Sequence, residues 1–212
     1  MQKLFSLDGR LVKTLTRLTD IIILNTLFIV CCLPIFTIGA SLTALATMWH
    51  RLLKGVDTDL VFHFFRIFRA NFKQATVIWL TCLGLSDLLY LDYCLFSNTA
   101  LLSEYGIWIL LPFIVLLCGG MTLIFPYIGL FEDPTRKVCL NSFLIALLNP
   151  IQTIFLIFFN LAVVYISLSS PERLLTAIYL FTFGGFALWS FLNVRLTDQI
   201  FSRIQEGEIF EK

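Results

Sequence analysis

Four long stretches without a charged side chain constrain this sequence more than any other feature. They cover residues 21–50, 105–131, 138–171 and 174–194. A helix of about 20 apolar residues crosses the hydrocarbon core of a bilayer, and each stretch reaches that length. Charged residues make up 14% of the chain, against roughly 25% in soluble domains. The sequence therefore predicts an all-α, polytopic membrane helix bundle, with residues 1–212 forming a single membrane domain.

Residues 21–50 are too long for one ordinary span and too short for two, and Pro34 and Gly39 interrupt them. If these residues only kink one tilted helix, the chain has five spans. If they form a turn instead, a second helix covers residues 38–53 and the chain has six spans. That second helix could also be re-entrant.

The distribution of Lys and Arg favours six spans, because these residues collect on the cytoplasmic side of a membrane. With six spans, 14 of the 15 basic residues lie on one side of the membrane. With five spans, ten basic residues lie on one side and five on the other. We therefore predict a protein of the bacterial cytoplasmic membrane, with both termini in the cytoplasm. The predicted spans are 15–34, 38–53, 75–96, 106–131, 148–169 and 174–194.

A helical wheel of residues 58–73 separates apolar from basic side chains. The apolar side carries Val61, Phe65, Phe68 and Phe72. The other side, called the basic face below, carries Arg66, Arg69 and Lys73. The pattern predicts a basic amphipathic helix on the cytoplasmic side. Such a helix can lie against anionic lipid headgroups or dock onto a protein subunit, and the sequence leaves both open.

Two polar residues are candidates for an intramembrane polar site. Asp87 interrupts the third predicted span about 21 Å beyond Lys73, and a carboxylate in hydrocarbon is costly enough to indicate function. Asn25 lies in the first span. Asn160 and Asn193 lie in or near later spans, where amides commonly tie helices together.

The sequence contains no motif of a known reaction: no P-loop, no nucleophile elbow, no zinc-protease motif and no paired-cysteine metal site. The six cysteines lie in or beside apolar runs, as small buried residues do. With a net charge of +1, the protein has no strong overall positive charge that would attract nucleic acid. We therefore expect a protein that is not an enzyme and has no cofactor, metal or nucleic-acid partner.

Three segments carry a resemblance to a known family: Leu33 to Ala44, Phe64 to Gln74, and Trp79. Over residues 20–80 the chain resembles the YesL-like family of small bacterial membrane proteins. That family is a domain of unknown function, often encoded beside carbohydrate ABC-transport systems, and no catalytic residue carries over from it. The resemblance implies an accessory or regulator of such a system, with ABC-transporter or sensor subunits as partners besides the lipid bilayer. The alternative hypothesis is a small transporter or channel that moves a solute or ion through a polar cavity near Asp87.

Overall fold

The computed structural model describes residues 10–56, 59–97 and 106–205, and the elements in these ranges are all helical. The predicted all-α fold class is therefore confirmed for this part of the chain. A 3-10 turn at Ile35–Thr37 precedes α2, and a π-helical segment at Phe181–Gly185 joins α7 to α8. The α-helices are α1 (Arg10–Cys32), α2 (Ile38–Leu53), α3 (Leu60–Ser97), α4 (Gly106–Leu130), α5 (Thr135–Leu148), α6 (Pro150–Leu168), α7 (Pro171–Leu180) and α8 (Phe186–Gln205).

Five segments within the described ranges are long and apolar enough to cross a membrane. They are Leu15–Cys32, Leu60–Phe96, Trp108–Leu130, Pro150–Leu168 and Pro171–Phe201. Each contains most of one predicted span. The remaining predicted span, 38–53, coincides with α2, but its 16 residues extend only about 24 Å, short of a hydrocarbon core of about 30 Å. That α2 crosses the membrane stays a prediction.

The first two helices form a hairpin and not one kinked helix. Phe28 of α1 and Leu45 of α2 line the same cavity, although 17 positions of continuous helix would separate them by about 25 Å. Pro34 adopts an extended conformation after the end of α1. The Thr37 hydroxyl then donates to the carbonyl oxygen of Cys31 at 2.5 Å, which closes the turn. The kinked helix on which the five-span alternative rested is therefore wrong.

Gly39 lies inside α2 and not in the turn itself, which corrects the position expected for the helix break. A Cβ atom at residue 39 would lie 2.6 Å from the backbone oxygen of Ala75 and 2.8 Å from Cβ of Trp79. These distances are too short for a side chain, so glycine permits the close approach of α2 to α3. Eleven of the 16 residues of α2 are buried, which makes this helix the centre of the bundle.

The sequence predicted a separate amphipathic helix at 58–73 followed by a span at 75–96, and this separation is wrong. Leu60–Ser97 is one helix of 38 residues, about 57 Å long. No Gly or Pro occurs between Leu60 and Gly84 that would end the helix. The Trp79 indole N–H donates to the carbonyl oxygen of Ile35 at 3.0 Å, so the α1–α2 turn lies beside the middle of α3.

The core consists of two neighbouring clusters of buried apolar residues. One joins α2, α3, α4, α5, α6 and α8, and the other joins α1, α2, α3 and α8. The α2 and α3 helices contribute to both clusters. The two helices therefore form the scaffold on which the sites described next are held.

Candidate functional site

The basic face is exposed along the first half of α3. Within the described residues, none of its three side chains forms a hydrogen bond or an ion pair. On the opposite side of the helix, Phe64 is 0% exposed, and Phe68 and Phe72 pack partly buried against the core. Packing against α2 therefore fixes the helix while its charged side stays open.

The apolar side of this helix is rotated from the one that the wheel predicted. Val61 and Phe65 were placed on it, but Phe65 is 41% exposed and Val61 is exposed as well. The inward side instead follows Phe64, Phe68, Ala75 and Ile78, at the spacing of a helix face that packs on one neighbour. The sequence could not indicate this rotation, because the wheel contains no information about where α2 lies.

The loop between α4 and α5 lies beside the end of the basic face. Gln74, next to Lys73, donates from Nε2 to the carbonyl oxygen of Asp133 at 2.9 Å. The Asp133 carboxylate is itself engaged, since it accepts a hydrogen bond of 2.7 Å from the Tyr127 hydroxyl. The loop is thus held by the helices, and within the described residues it forms no ion pair with the basic face.

Asp87 lies on the outer surface of the second half of α3. Its side chain is exposed and forms no hydrogen bond or ion pair with any described residue, and its exposed neighbours include Leu85 and Leu88. It is not among the residues that line the cavity described below. The hypothesis of a conduit near Asp87 therefore gains no support from this placement and stays a prediction.

Asn25 has different surroundings, and the structure does not bring it together with Asp87. It is 1% exposed. Its Nδ2 donates to the carbonyl oxygens of Phe181 and Thr182, both at 2.9 Å, and its Oδ1 accepts from the backbone N–H of Ala187 at 3.1 Å. Asn25 thus ties α1 to the α7–α8 junction by satisfying backbone groups there.

The α7–α8 junction needs such support because its backbone departs from regular helix. Gly184 has a φ of +152°, a conformation that side chains with a Cβ rarely adopt. Irregular backbone within a membrane bundle requires polar partners from neighbouring helices. The role of Asn25 that follows from these contacts is structural.

A cavity of about 300 Å³ lies between α1, α2, α4, α6 and α8, and Trp79 of α3 also lines it. Its volume is at the lower end of the range of ligand pockets, about 300 to 1,000 Å³. Within the described part of the chain, its wall contains no charged residue. The polar side chains in the wall are Thr122, Asn160, Ser190 and Asn193. The arrangement suits an uncharged, mainly apolar molecule.

The sequence did not reveal this cavity. Asn160 and Asn193 were interpreted as residues that tie helices together, and a hydrogen bond of 3.0 Å from Asn160 Nδ2 to Asn193 Oδ1 does link α6 to α8. The lining residues come from several helices and are mostly ordinary core types. Only the packing of those helices shows that they enclose a space.

The described residues contain no group of three or more His, Cys, Asp or Glu side chains placed to hold a metal ion. The cysteines form no disulfide in the ranges that the structure covers. His50 and Asp198 form a polar contact of 2.9 Å between the ends of α2 and α8, with the imidazole buried. This pair joins α2 to α8.

Comparison with known proteins gives one finding. A family described as protein of unknown function, DUF624, matches residues 21–93. No curated protein and no solved structure matches the chain. The matched residues include the α1–α2 hairpin, the basic face and Asp87, whereas α4, α6 and α8, which form much of the cavity wall, lie outside the match. Over its first three helices, the chain is therefore similar to a family whose function is unknown.

Proposed function

We propose that this protein is a non-enzymatic, multi-pass accessory protein of the bacterial cytoplasmic membrane, and that its basic face docks onto an acidic surface of a transport or sensor complex. The observation that carries the proposal is the exposure of Arg66, Arg69 and Lys73, without acidic partners among the described residues, on a helix that is otherwise fixed in the core. Unpaired charges at fixed positions favour recognition of a complementary surface.

The fixed position of the basic face on α3 supports this proposal. From Arg66 to Lys73 the basic face extends about 10 Å along the helix axis. Because Phe64 and Ala75 are buried on the other side of α3, the backbone that carries the charges loses little freedom when a partner binds. Such preorganisation lowers the entropic cost of association.

The hairpin supports the proposed cytoplasmic location of the basic face. Since α2 folds back along α1, the start of α1 and the end of α2 lie on the same side, whether the hairpin crosses the membrane or only enters it. That is the arrangement in which 14 of 15 basic residues share one side. Both termini are cytoplasmic in this proposal.

The partner class in this proposal is a carbohydrate ABC transporter or its associated sensor. Support comes from the resemblance of residues 20–80 to the YesL-like family, with which the match of DUF624 to residues 21–93 is consistent. The role of the protein is then positional, because it holds or regulates a subunit at the membrane surface. We expect no chemical turnover.

The test is purification of the full-length protein from native membranes in mild detergent, with partners identified by mass spectrometry. The variant replaces Arg66, Arg69 and Lys73 by Gln, and the matched control replaces Arg17, Lys54 and Arg173, three other exposed basic residues, by Gln. Transporter or sensor subunits should be recovered with the wild type and the control, and at least tenfold less with the variant. Equal recovery with all three proteins, or no such subunit with any, would contradict the proposal.

A further inference from the structure

The turn between α1 and α2, residues 33–37, exposes apolar side chains; it is called the hairpin tip below. Leu33, Ile35 and Phe36 are 77%, 70% and 50% exposed. The surrounding segment, residues 21–50, contains no Asp, Glu, Lys or Arg. A turn in water is usually built from Gly, Pro, Asn, Asp and Ser. The apolar surface of the hairpin tip therefore indicates that hydrocarbon surrounds it.

The backbone of the hairpin tip is paired as an environment without water requires. The Thr37 hydroxyl donates to the carbonyl oxygen of Cys31, and the Thr37 backbone N–H donates to that of Pro34 at 3.0 Å. The carbonyl oxygen of Ile35 accepts from the Trp79 indole at 3.0 Å. Irregular backbone at membrane depth is tolerated only where its polar groups have partners. The turn thus meets this condition at three successive bends of the chain.

The hairpin tip ends beside the middle of a longer pair of helices. A Cβ atom at Gly39, just after the tip, would lie 2.8 Å from Trp79 of α3 and 3.0 Å from Phe125 of α4. At the far end of the same pair, a Cβ atom at Gly106 of α4 would lie 2.7 Å from Phe96 of α3. About 26 Å of helix separates Trp79 from Phe96. The antiparallel α3–α4 pair therefore extends far beyond the hairpin.

Exposed aromatic side chains mark the far edge of this pair. Tyr90 is 66% exposed and Trp108 is 70% exposed, and such residues are enriched at the boundary between hydrocarbon and water. Along their helices they lie about 16 Å beyond Trp79 and about 25 Å beyond Phe125. With a hydrocarbon core of about 30 Å, the hairpin tip then lies about 5 to 14 Å inside the opposite boundary.

We propose that the α1–α2 hairpin is re-entrant: it inserts its tip among the acyl chains of one leaflet and returns to the side from which it came. The partner of Leu33, Ile35 and Phe36 is the fatty-acyl region of the bilayer. Of the two arrangements of α2 that the sequence leaves open, this is the one that does not cross. The identity of the leaflet, the cytoplasmic one, rests on the proposed function, whereas re-entry does not depend on the docking role.

The experiment measures the depth of spin labels on the full-length protein in vesicles of phosphatidylcholine and phosphatidylglycerol. The six native cysteines are replaced by Ala, and a nitroxide is attached after Ile35→Cys, Tyr90→Cys or Val56→Cys. Tyr90 marks the boundary, and Val56 is an exposed residue after the end of α2. Oxygen dissolves in hydrocarbon, whereas a polar nickel chelate stays in water, so the ratio of their collision rates increases with depth.

The ratio should be at least about fivefold higher at residue 35 than at residue 56, because hydrocarbon excludes the polar chelate. It should also exceed the ratio at residue 90. A hairpin that crosses would carry its tip to the far boundary or beyond, and a hairpin outside the membrane would leave its tip in water. A ratio at residue 35 no higher than at residue 90 would therefore overturn the proposal.

A second measurement keeps the native cysteines, in case their replacement prevents folding. The photoreactive residue p-benzoylphenylalanine replaces Phe36 or, as the matched control, Val56, and native membranes are irradiated. Mass spectrometry should find phospholipid adducts on the peptide that contains residue 36 and at least about fivefold fewer on the peptide that contains residue 56. Equal yields at the two positions, or no adduct at residue 36, would contradict re-entry.

Discussion

The two halves of α3 carry different surfaces on one unbroken helix. The half from Leu60 to Trp79 exposes the basic face and packs its other side against α2. The half from Leu80 to Ser97 exposes mainly leucines and tyrosines, with Asp87 among them. A hydrocarbon layer of about 30 Å covers about 20 residues of helix, so it cannot cover both halves. Backbone continuity therefore does not imply one environment.

The comparison also shows where stability resides. The first half has close neighbours on its inward side, as the short approach of Gly39 to Ala75 and Trp79 demonstrates. In the second half, a Cβ added at Gly84 would meet nothing within 4 Å. Substitutions on the inward side of the first half should therefore lower the free energy of unfolding, while substitutions of exposed residues in the second half should act mainly on membrane insertion.

The largest effect should come from Phe64→Ala. Phe64 is fully buried, and removing a buried phenylalanine side chain costs about 3 to 5 kcal/mol through lost burial and the cavity left behind. Its neighbour Phe65 is exposed, so Phe65→Ala should cost less than about 1 kcal/mol. Denaturant unfolding in detergent measures both. Similar losses for the two variants would contradict the rotation of the apolar side described above.

A pair of glycine substitutions compares the two halves directly. Gly39→Ala places a methyl group against Ala75 and Trp79, and overpacking of this kind costs about 1 to 3 kcal/mol. Gly84→Ala meets open space and should stabilise the helix by up to about 1 kcal/mol through higher helix propensity. Thermal unfolding in detergent should therefore shift in opposite directions. A destabilised Gly84→Ala variant would show that this surface has a neighbour.

Replacement of Asp87 by Leu tests the environment of the second half. A carboxylate at the centre of a membrane helix opposes insertion by about 2.5 to 3.5 kcal/mol. Asp87→Leu should therefore favour insertion of residues 80–97 by up to that amount. Asp92→Leu, nearer the end of the helix, should have a smaller effect. A glycosylation-based insertion assay measures the difference, and equal effects would place both residues in water.

The smallest effect on stability should come from neutralising the basic face. Exposed residues without partners contribute little to folding, so replacing Arg66, Arg69 and Lys73 by Gln should change the free energy of unfolding by less than about 0.5 kcal/mol. The same variant should lose its docking partner. A strong destabilisation, measured by denaturant unfolding, would mean that the basic face has an intramolecular role.

Much of the fold could be predicted because it depends on local signals. The helical class follows from hydrophobic content, and the bounds of α2 at Ile38–Leu53 agree with the predicted segment because Pro34 ends the preceding helix. The break at Asn149–Pro150 between α5 and α6 is equally local. These features are encoded within a few residues of where they occur.

The continuity of α3 was missed for a physical reason. Charge and hydropathy indicate the environment of a segment, whereas Gly and Pro indicate where its helix ends. Around Lys73 and Gln74 the charge and hydropathy change, but no Gly or Pro ends the helix. The sequence divided the helix where its surface changes, although no Gly or Pro interrupts it there. The cavity was missed because its wall combines residues of α1, α2, α4, α6 and α8, which come together only once those helices have packed.

The length of α3 has a mechanical consequence. An unbroken helix of about 57 Å behaves as a stiff rod, and a tilt of about 10° around its midpoint displaces each end by about 5 Å in opposite directions. Trp79 is the twentieth of its 38 residues and lies beside both the hairpin turn and the cavity, close to such a pivot. Because the first half of α3 is packed closely against Gly39 of α2, such a tilt would carry α2 and the hairpin turn with it.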